Sequence, residues 1–417
     1  MKIGLLIIAS EILDGKIIDQ NTQNLAKFLR NHHLELGLTV TVNDLEADIH
    51  RGLKTLFDGH DLIITSGGLG PTKDDITKQT IASFLGRTIS YDKQAEKIAS
   101  ENFQRYEKSF PGKDHGYSFL PHGFLPLNNS TGLAPGMFGE HLGTYIFSAP
   151  GVPKEFKTML EDELIRLIYT KLDHDVFIDT VVVRTKKLPE EMLFGQVDPE
   201  LWNNLARIGE VSSLPVLYGV DIGVKLRAKD QQELNSKKAE VLRVFDGSPV
   251  KPNVWYYGTE SLEEIIVELA NRKKLTYGFA ESCTGGLCSH RVTGVSGSGN
   301  SFTGSVVCYD VSVKAHVLGV SKETLATYGA VSAETAREMS VGLAKNLRVD
   351  VAVSITGFAG PSGGTPENPV GTVFIGKTAQ GETEAFKFKF YGDREQLKAR
   401  FSQLALMTLL EELEKFA

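Results

Sequence analysis

Cysteine is scarce in this sequence. There are three in 417 residues, Cys283, Cys288 and Cys308, an odd number with no Cys-x-x-Cys pair. That excludes a disulfide framework and a cysteine-based zinc site, and fits a reducing cytoplasm. No apolar run approaches the length that spans a bilayer. The run Met1–Ile8 is too short for a secretory signal, and Ala9-Ser10-Glu11 follows where such a segment would continue, so it reads as a first core strand. Neither sign of charge dominates. A formal net charge of −7 leaves no footprint for nucleic acid or an anionic membrane as partner. Neither a Walker A loop nor a Rossmann fingerprint is present. What remains is a chain of ordinary globular composition, long enough for two or three domains.

What is there starts at Ala280-Glu281-Ser282-Cys283-Thr284-Gly285-Gly286. The apolar run Leu275–Ala280 before it predicts a buried strand, and Leu287–Val292 after it a short helix. A strand that breaks into such a turn exposes backbone N–H groups at a helix start. They suit an anion, either a phosphate or the oxyanion of acyl transfer. Ser282, Cys283 and Thr284 are each possible nucleophiles, although a Cys beside a strand is more often a small buried hydrophobe. A tight, capped strand–helix turn explains the same residues without chemistry. A second apolar strand, Val349–Thr356, runs into Gly357-Phe358-Ala359-Gly360-Pro361-Ser362-Gly363-Gly364. Between the two, Gly304–Asp310 reads as a strand ending in Tyr309, and Lys314 follows. A Ser, a Tyr and a Lys near strand ends could form a hydrolytic site with no His, a desolvated lysine serving as base. The plain alternatives are a solvated Lys314 and a core Tyr309 with a satisfied hydroxyl.

Residues 1 to about 170 alternate between the two periodicities. Strands are predicted at Lys2–Ile8, Thr39–Val42 and Asp61–Thr65, and helices at Thr22–Leu36, Ile49–Phe57, Thr77–Leu85 and Asp92–Glu107. This predicts a mostly parallel sheet covered on both faces, with ligands outside the carboxyl ends of its strands. Those ends carry Ser10-Glu11, Asp44 and the loop Gly67-Gly68-Leu69-Gly70-Pro71-Thr72. The glycines let backbone approach a phosphate, and Asp74 and Asp75 beside them make sense around a divalent cation. One of the two acids could instead cap the helix at Thr77. Pro150–Glu155 reads as a loop into a helix reaching about Leu172. From about 175 to 250 a small α+β unit is expected, with strands at Val176–Arg184 and Asp221–Ala228 and a helix at Gln231–Phe245. It shows no basic GXXG loop, so RNA binding is not expected. Ser261, Ser332 and Asp393 open helices of a last α/β domain.

Two of these motif sets resemble known domains. Gly67-Gly68-Leu69-Gly70-Pro71-Thr72-x-Asp74-Asp75-x-Thr77, with Ala134-Pro135-Gly136 and Pro150-Gly151-Val152-Pro153, resembles the molybdopterin-binding domain of the MoaB/MogA type. The Ala280–Gly286 turn, with Gly357-x-Ala359-Gly360-Pro361-x-Gly363-Gly364 and Pro369-Val370-Gly371-Thr372, is similar to nicotinamide-nucleotide amidases. In this order they resemble the competence/damage-inducible CinA family over nearly the whole chain, least from about 175 to 255. The resemblance implies a three-layer domain over 1–172, a small KH-type α+β domain over 173–255 and an α/β amidase domain over 256–417.

It further implies hydrolysis of the carboxamide of nicotinamide mononucleotide, a step of pyridine nucleotide recycling that needs no cofactor. Ser282 would be the nucleophile, Lys314 the base, and Tyr309 a hydrogen-bonding member of the relay. Thr284, Gly285 and Gly286 would face the oxyanion, and Thr356, Gly357, Gly360, Gly363 and Gly364 would hold the ribose phosphate. For the first domain it implies a metal-dependent ADP-ribose pyrophosphatase. There Glu11, Gly67, Gly68 and Gly70 would meet the ligand, and Asp44, Asp74 and Asp75 a divalent metal ion of unspecified identity. A cytoplasmic homodimer is expected. The chain departs from the family pattern at Ala9-Ser10, at Leu133, at His115-Gly116-Tyr117 and at Asp310-Val311-Ser312-Val313. The first three changes remove a hydroxyl and a basic pair near the N-terminal ligand. The departures at 9–10, 133 and 310–313 suit an alternative, a non-catalytic nucleotide- or pterin-binding regulator acting through a partner. A molybdenum-cofactor enzyme would account for the first domain alone.

Overall fold

The computed structural model describes residues 1–112, 116–171 and 177–416. Strand β1 (Ile3–Ile8) shows how the first sheet is covered on both sides. Ile3, Leu5 and Ile7 pack with Leu25, Leu29 and Phe156, while Leu6 and Ile8 pack with Ile49, Leu53 and Ile81. An apolar run buried on both faces is what a central parallel strand requires. β1 pairs in parallel with β2 (Leu36–Val42) and β3 (Leu62–Ser66). β4 (Ile89–Tyr91) and β5 (Phe119–Pro121) form a separate antiparallel ribbon. With β6 (Leu125–Leu127), β7 (Gly136–His141) and β8 (Thr144–Ala149), the main sheet runs β2-β1-β3-β8-β7-β6, its last two pairings antiparallel.

Three features differ from expectation. The helix predicted to Leu36 spans Asn21–Asn31, because His33 takes a left-handed conformation (φ 59°) and the chain turns into β2 three residues early. The β7–β8 hairpin was hidden by its turn. Leu142 (φ 51°) and Gly143 (φ 85°) both have the positive φ that a two-residue hairpin turn needs, and Leu is a poor signal for that conformation. The helix from Pro153 reaches Lys171 through a π-helical turn at Leu160–Leu164. Its predicted end at Leu172 and the predicted strand start at Val176 lie outside the described residues. The middle segment holds β9 (Phe177–Thr185), β10 (Glu210–Val216), β11 (Gly219–Ala228) and β12 (Val254–Tyr257), two strands more than predicted.

The chain divides into two compact units. One is Met1–Val181 with Leu205–Glu210 and Val224–Val244; the other is Val182–Asn204 with Val211–Gly223 and Phe245–Ala417. The second holds a five-stranded sheet of β13 (Tyr277–Glu281), β14 (Phe302–Val307), β15 (Val351–Gly357), β16 (Thr372–Ala379) and β17 (Glu382–Lys389), in the order β14-β13-β15-β16-β17. β13 is parallel to both neighbours, so its carboxyl end opens between two crossovers. The expected caps are present. Ser261 and Glu264 form a capping box for the helix Leu262–Lys273, and Asp393 and Gln396 form another for the terminal helix Arg394–Lys415. Among the described residues no helix is long and apolar enough to cross a membrane.

Candidate active site

The turn after β13 is fastened on both sides. The Ser282 N–H donates to the Ile355 carbonyl at 3.0 Å, and the Cys308 N–H donates to the Glu281 carbonyl at 2.8 Å. Ser282 is 8% exposed and Lys314 1% exposed. Lys314 belongs to a short helix, Val311–His316, whose cap Asp310 accepts from the Ser312 N–H at 2.8 Å. Its Nζ lies 2.9 Å from Ser282 Oγ, 2.5 Å from the Cys308 carbonyl and 3.4 Å from the Tyr309 carbonyl. Among the described residues no carboxylate forms an ion pair with it. Burial therefore pushes the amine below its ordinary value, against a smaller pull from the neighbouring Cys308 and Cys283. A neutral amine at this distance can accept the serine proton. Cys283 is no rival, since burial pushes its thiol up to about 12.

The other predicted residues distribute unevenly. β14 ends at Val307, and Tyr309 beyond it is 61% exposed. Its hydroxyl accepts from Arg394 Nη2 at 3.1 Å, so the relay expected through that hydroxyl is replaced by contact of its backbone carbonyl with Lys314. The oxyanion donors need a larger correction. The Gly285 N–H donates to the Ser282 carbonyl, and the Gly286 N–H to the carboxylate of Glu281 at 3.0 Å. Glu281 is fully buried and also accepts from the Cys288 N–H, the Ser289 N–H and the Ser289 hydroxyl. The anion expected at the start of the helix Leu287–Thr293 is thus a side chain of the protein itself. Thr284 keeps an N–H that no carbonyl or carboxylate takes among the described residues.

The second glycine-rich segment is part scaffold. Thr356 is buried and donates to the Ala330 carbonyl at 2.7 Å. Gly357 pairs with Val373, where a Cβ would come within 2.7 Å of the Thr372 carbonyl. Further on, the Gly360 carbonyl accepts from Arg394 Nη1 at 2.6 Å, while Gly363 is exposed and Gly364 half-buried. Arg394 thus joins this loop to Tyr309. One turn later Lys398 Nζ stands 3.9 Å from where a Cβ on Gly285 would sit. Neither cation was found from sequence. For Arg394 the available signal was a basic residue in the first turn of a helix, where the dipole disfavours it and another reason is needed; Lys398 carries no such signal.

In the first unit, Gly67 follows β3 so close to β1 that a Cβ would lie 2.3 Å from the Ile8 carbonyl. Gly68 accepts from the Thr77 N–H, and a Cβ on Gly70 would meet Asp75 at 2.6 Å. The three acids do not gather around a common point. Asp44 accepts from the Ser10 N–H and hydroxyl, both at 2.8 Å. Asp75 turns back on Thr72, accepting from its N–H at 2.9 Å and from its hydroxyl. Asp74 and Glu11 are exposed. Among the described residues no group of three or more His, Cys, Asp or Glu side chains could hold a metal ion. The donor set expected for a divalent cation therefore does not fit one, because two of its carboxylates act as loop caps. A buried cation beside the loop is Lys78, with Nζ 2.6 Å from the Gly116 carbonyl; burial lowers its amine to about 8 while Asp75 pulls it up. The departure at His115 lies outside the described residues.

Comparison with known proteins matches residues 4–170 to the family model "Probable molybdopterin binding domain" and residues 259–413 to "CinA C-terminal domain". A "CinA-like protein" of Thermotoga maritima is 34% identical over 416 residues, 99% of this chain and 98% of the relative. A "Putative competence-damage inducible protein" of Clostridium kluyveri is 34% identical over 408 residues, 97% of this chain and 98% of its own length. The chain belongs to the CinA family. Among solved structures, the competence/damage inducible protein CihA of Agrobacterium tumefaciens is 34% identical, covering 39% of this chain and all of its own, with a TM-score of 0.36. In this CinA protein Ser282, Lys314, Arg394 and Lys398 all fall inside the matched C-terminal domain, and the Gly67–Asp75 loop inside the other.

Proposed function

We propose that the second unit hydrolyses the carboxamide of nicotinamide mononucleotide to nicotinate mononucleotide and ammonia. The observation that carries this reading is the buried amine of Lys314, 2.9 Å from Ser282 Oγ. Ser282 Oγ attacks the amide carbon as Lys314 takes its proton. The tetrahedral adduct collapses, its C–N bond breaks, and Lys314 returns that proton to the departing nitrogen as ammonia. Water then attacks the acyl-serine ester, with Lys314 again as base, and releases the carboxylate. Arg394 and Lys398 suit the phosphate, beside the Gly360 end of the loop. The test is ammonia release from nicotinamide mononucleotide and from its phosphate-free riboside. Turnover of the nucleotide is expected, with KM raised about tenfold or more for the riboside. A folded protein that releases no ammonia from either would sink the reading.

For the first unit, the dispersed carboxylates favour binding over metal-dependent hydrolysis. We infer that its Gly67–Asp75 loop meets a nucleotide or pterin and leaves it intact. Incubation of the full chain with ADP-ribose and Mg²⁺ or Mn²⁺ is expected to yield no AMP above background. AMP formation that chelation abolishes would restore the pyrophosphatase.

A further inference from the structure

The second unit contains a cavity of about 560 Å³ away from Ser282, bounded by β9, β12, the helix Leu287–Thr293 and the terminal helix. Its charges are not equivalent. Arg184 Nε is 3.5 Å from Asp221, and Arg291 is held by Glu263, by Ser402 at 2.9 Å and by Gln403 at 2.7 Å. Those two arginines are neutralised and fixed. Arg400 is half-buried, yet among the described residues its side chain has neither ion pair nor hydrogen bond. The amide nitrogens of Gln396 and Gln403 remain as further donors, since both carboxamide oxygens are engaged, by the Asp393 N–H and by Arg291. Trp255, with the Arg184 guanidinium over its ring at 5.7 Å, lines the cavity together with Val216 and Leu217, which leave 38% and 37% of their surfaces in water.

We propose that this cavity binds a nucleoside monophosphate, with the phosphate on Arg400 and the two carboxamides and the flat, apolar body against Trp255, Val216 and Leu217. A volume in the usual range for small-ligand sites, one uncompensated guanidinium and a few convergent donors against an exposed apolar wall are what such a ligand requires. Removing the Arg400 guanidinium leaves no hydrogen-bond partner unsatisfied among the described residues, so its charge is free to meet a ligand. The site is independent of the amidase reading, since neither Ser282 nor Lys314 lines it.

The chain has two tryptophans, so Trp202→Phe leaves Trp255 as the sole reporter. AMP is titrated into that variant of the full chain, with calorimetry alongside emission. The expected result is saturable binding that weakens about tenfold or more with Arg400→Ala. It should also weaken at least as much with adenosine, and be unchanged by Arg394→Ala. Absence of both heat and emission change up to about 10 mM AMP overturns the proposal. So does binding that ignores Arg400→Ala, or binding that Arg394→Ala removes, which would place it in the catalytic cleft.

Discussion

Lys314→Met is expected to lower ammonia release from nicotinamide mononucleotide by about 10³-fold or more, and Ser282→Ala to do the same. Because the two act as one unit, the double variant should be hardly worse than either single one. Lys314→Arg should not rescue, since a guanidinium stays protonated at any working pH and cannot accept the serine proton. The sign of the pH dependence follows from burial. The amine is held below its ordinary value, and only its neutral form is a base. The wild-type kcat/KM should therefore rise with pH through a group titrating below the usual lysine range, and the residual rate of Lys314→Met should lack that limb. Activity surviving in Ser282→Ala would shift the nucleophile to a bound water. A wild-type rate that falls as pH rises over that range would remove Lys314 as base.

Glu281→Ala is expected to cost the second unit about 3–5 kcal/mol of stability, read by urea unfolding of the full chain. Its carboxylate accepts three backbone N–H groups, from Gly286, Cys288 and Ser289, in a site with no exposure. Truncation leaves those donors buried without an acceptor. Glu281→Gln keeps one acceptor oxygen but turns an NH₂ towards the remaining donors, so an intermediate loss of about 2 kcal/mol is expected. Either change should also reduce turnover, because this carboxylate sets the position of the turn that carries Ser282. A Glu281→Ala protein as stable as wild type would show that water replaces the carboxylate.

Local pattern explains what could be read from the sequence. β3 and β13 are apolar runs ending in glycine-rich turns that lead into helices, so strand, turn and helix are legible from one stretch of sequence. Position beyond a strand end marks Ser282 and Lys314 only as candidates; their roles as nucleophile and base come from the family resemblance. What local pattern cannot show is which partner takes a polar group. Glu281 looks like one more polar residue of the turn until the fold places three N–H groups around it. Tyr309 looks like a relay member until Arg394, eighty-five residues on, takes its hydroxyl. The acids Asp44 and Asp75 look like ligands until Ser10 and Thr72 are seen to occupy them.

The three cysteines, so informative as a scarcity, crowd the end of β13: Cys283 and Cys288 in the turn and the helix after it, Cys308 beside them at the end of β14. All are buried, and burial raises the thiol of each above its ordinary value. Thiol-directed electrophiles and peroxide therefore find almost no thiolate to react with in this site. A covalent probe for it has to acylate a hydroxyl, and tolerance of oxidants comes with the same packing that strips the lysine of its water.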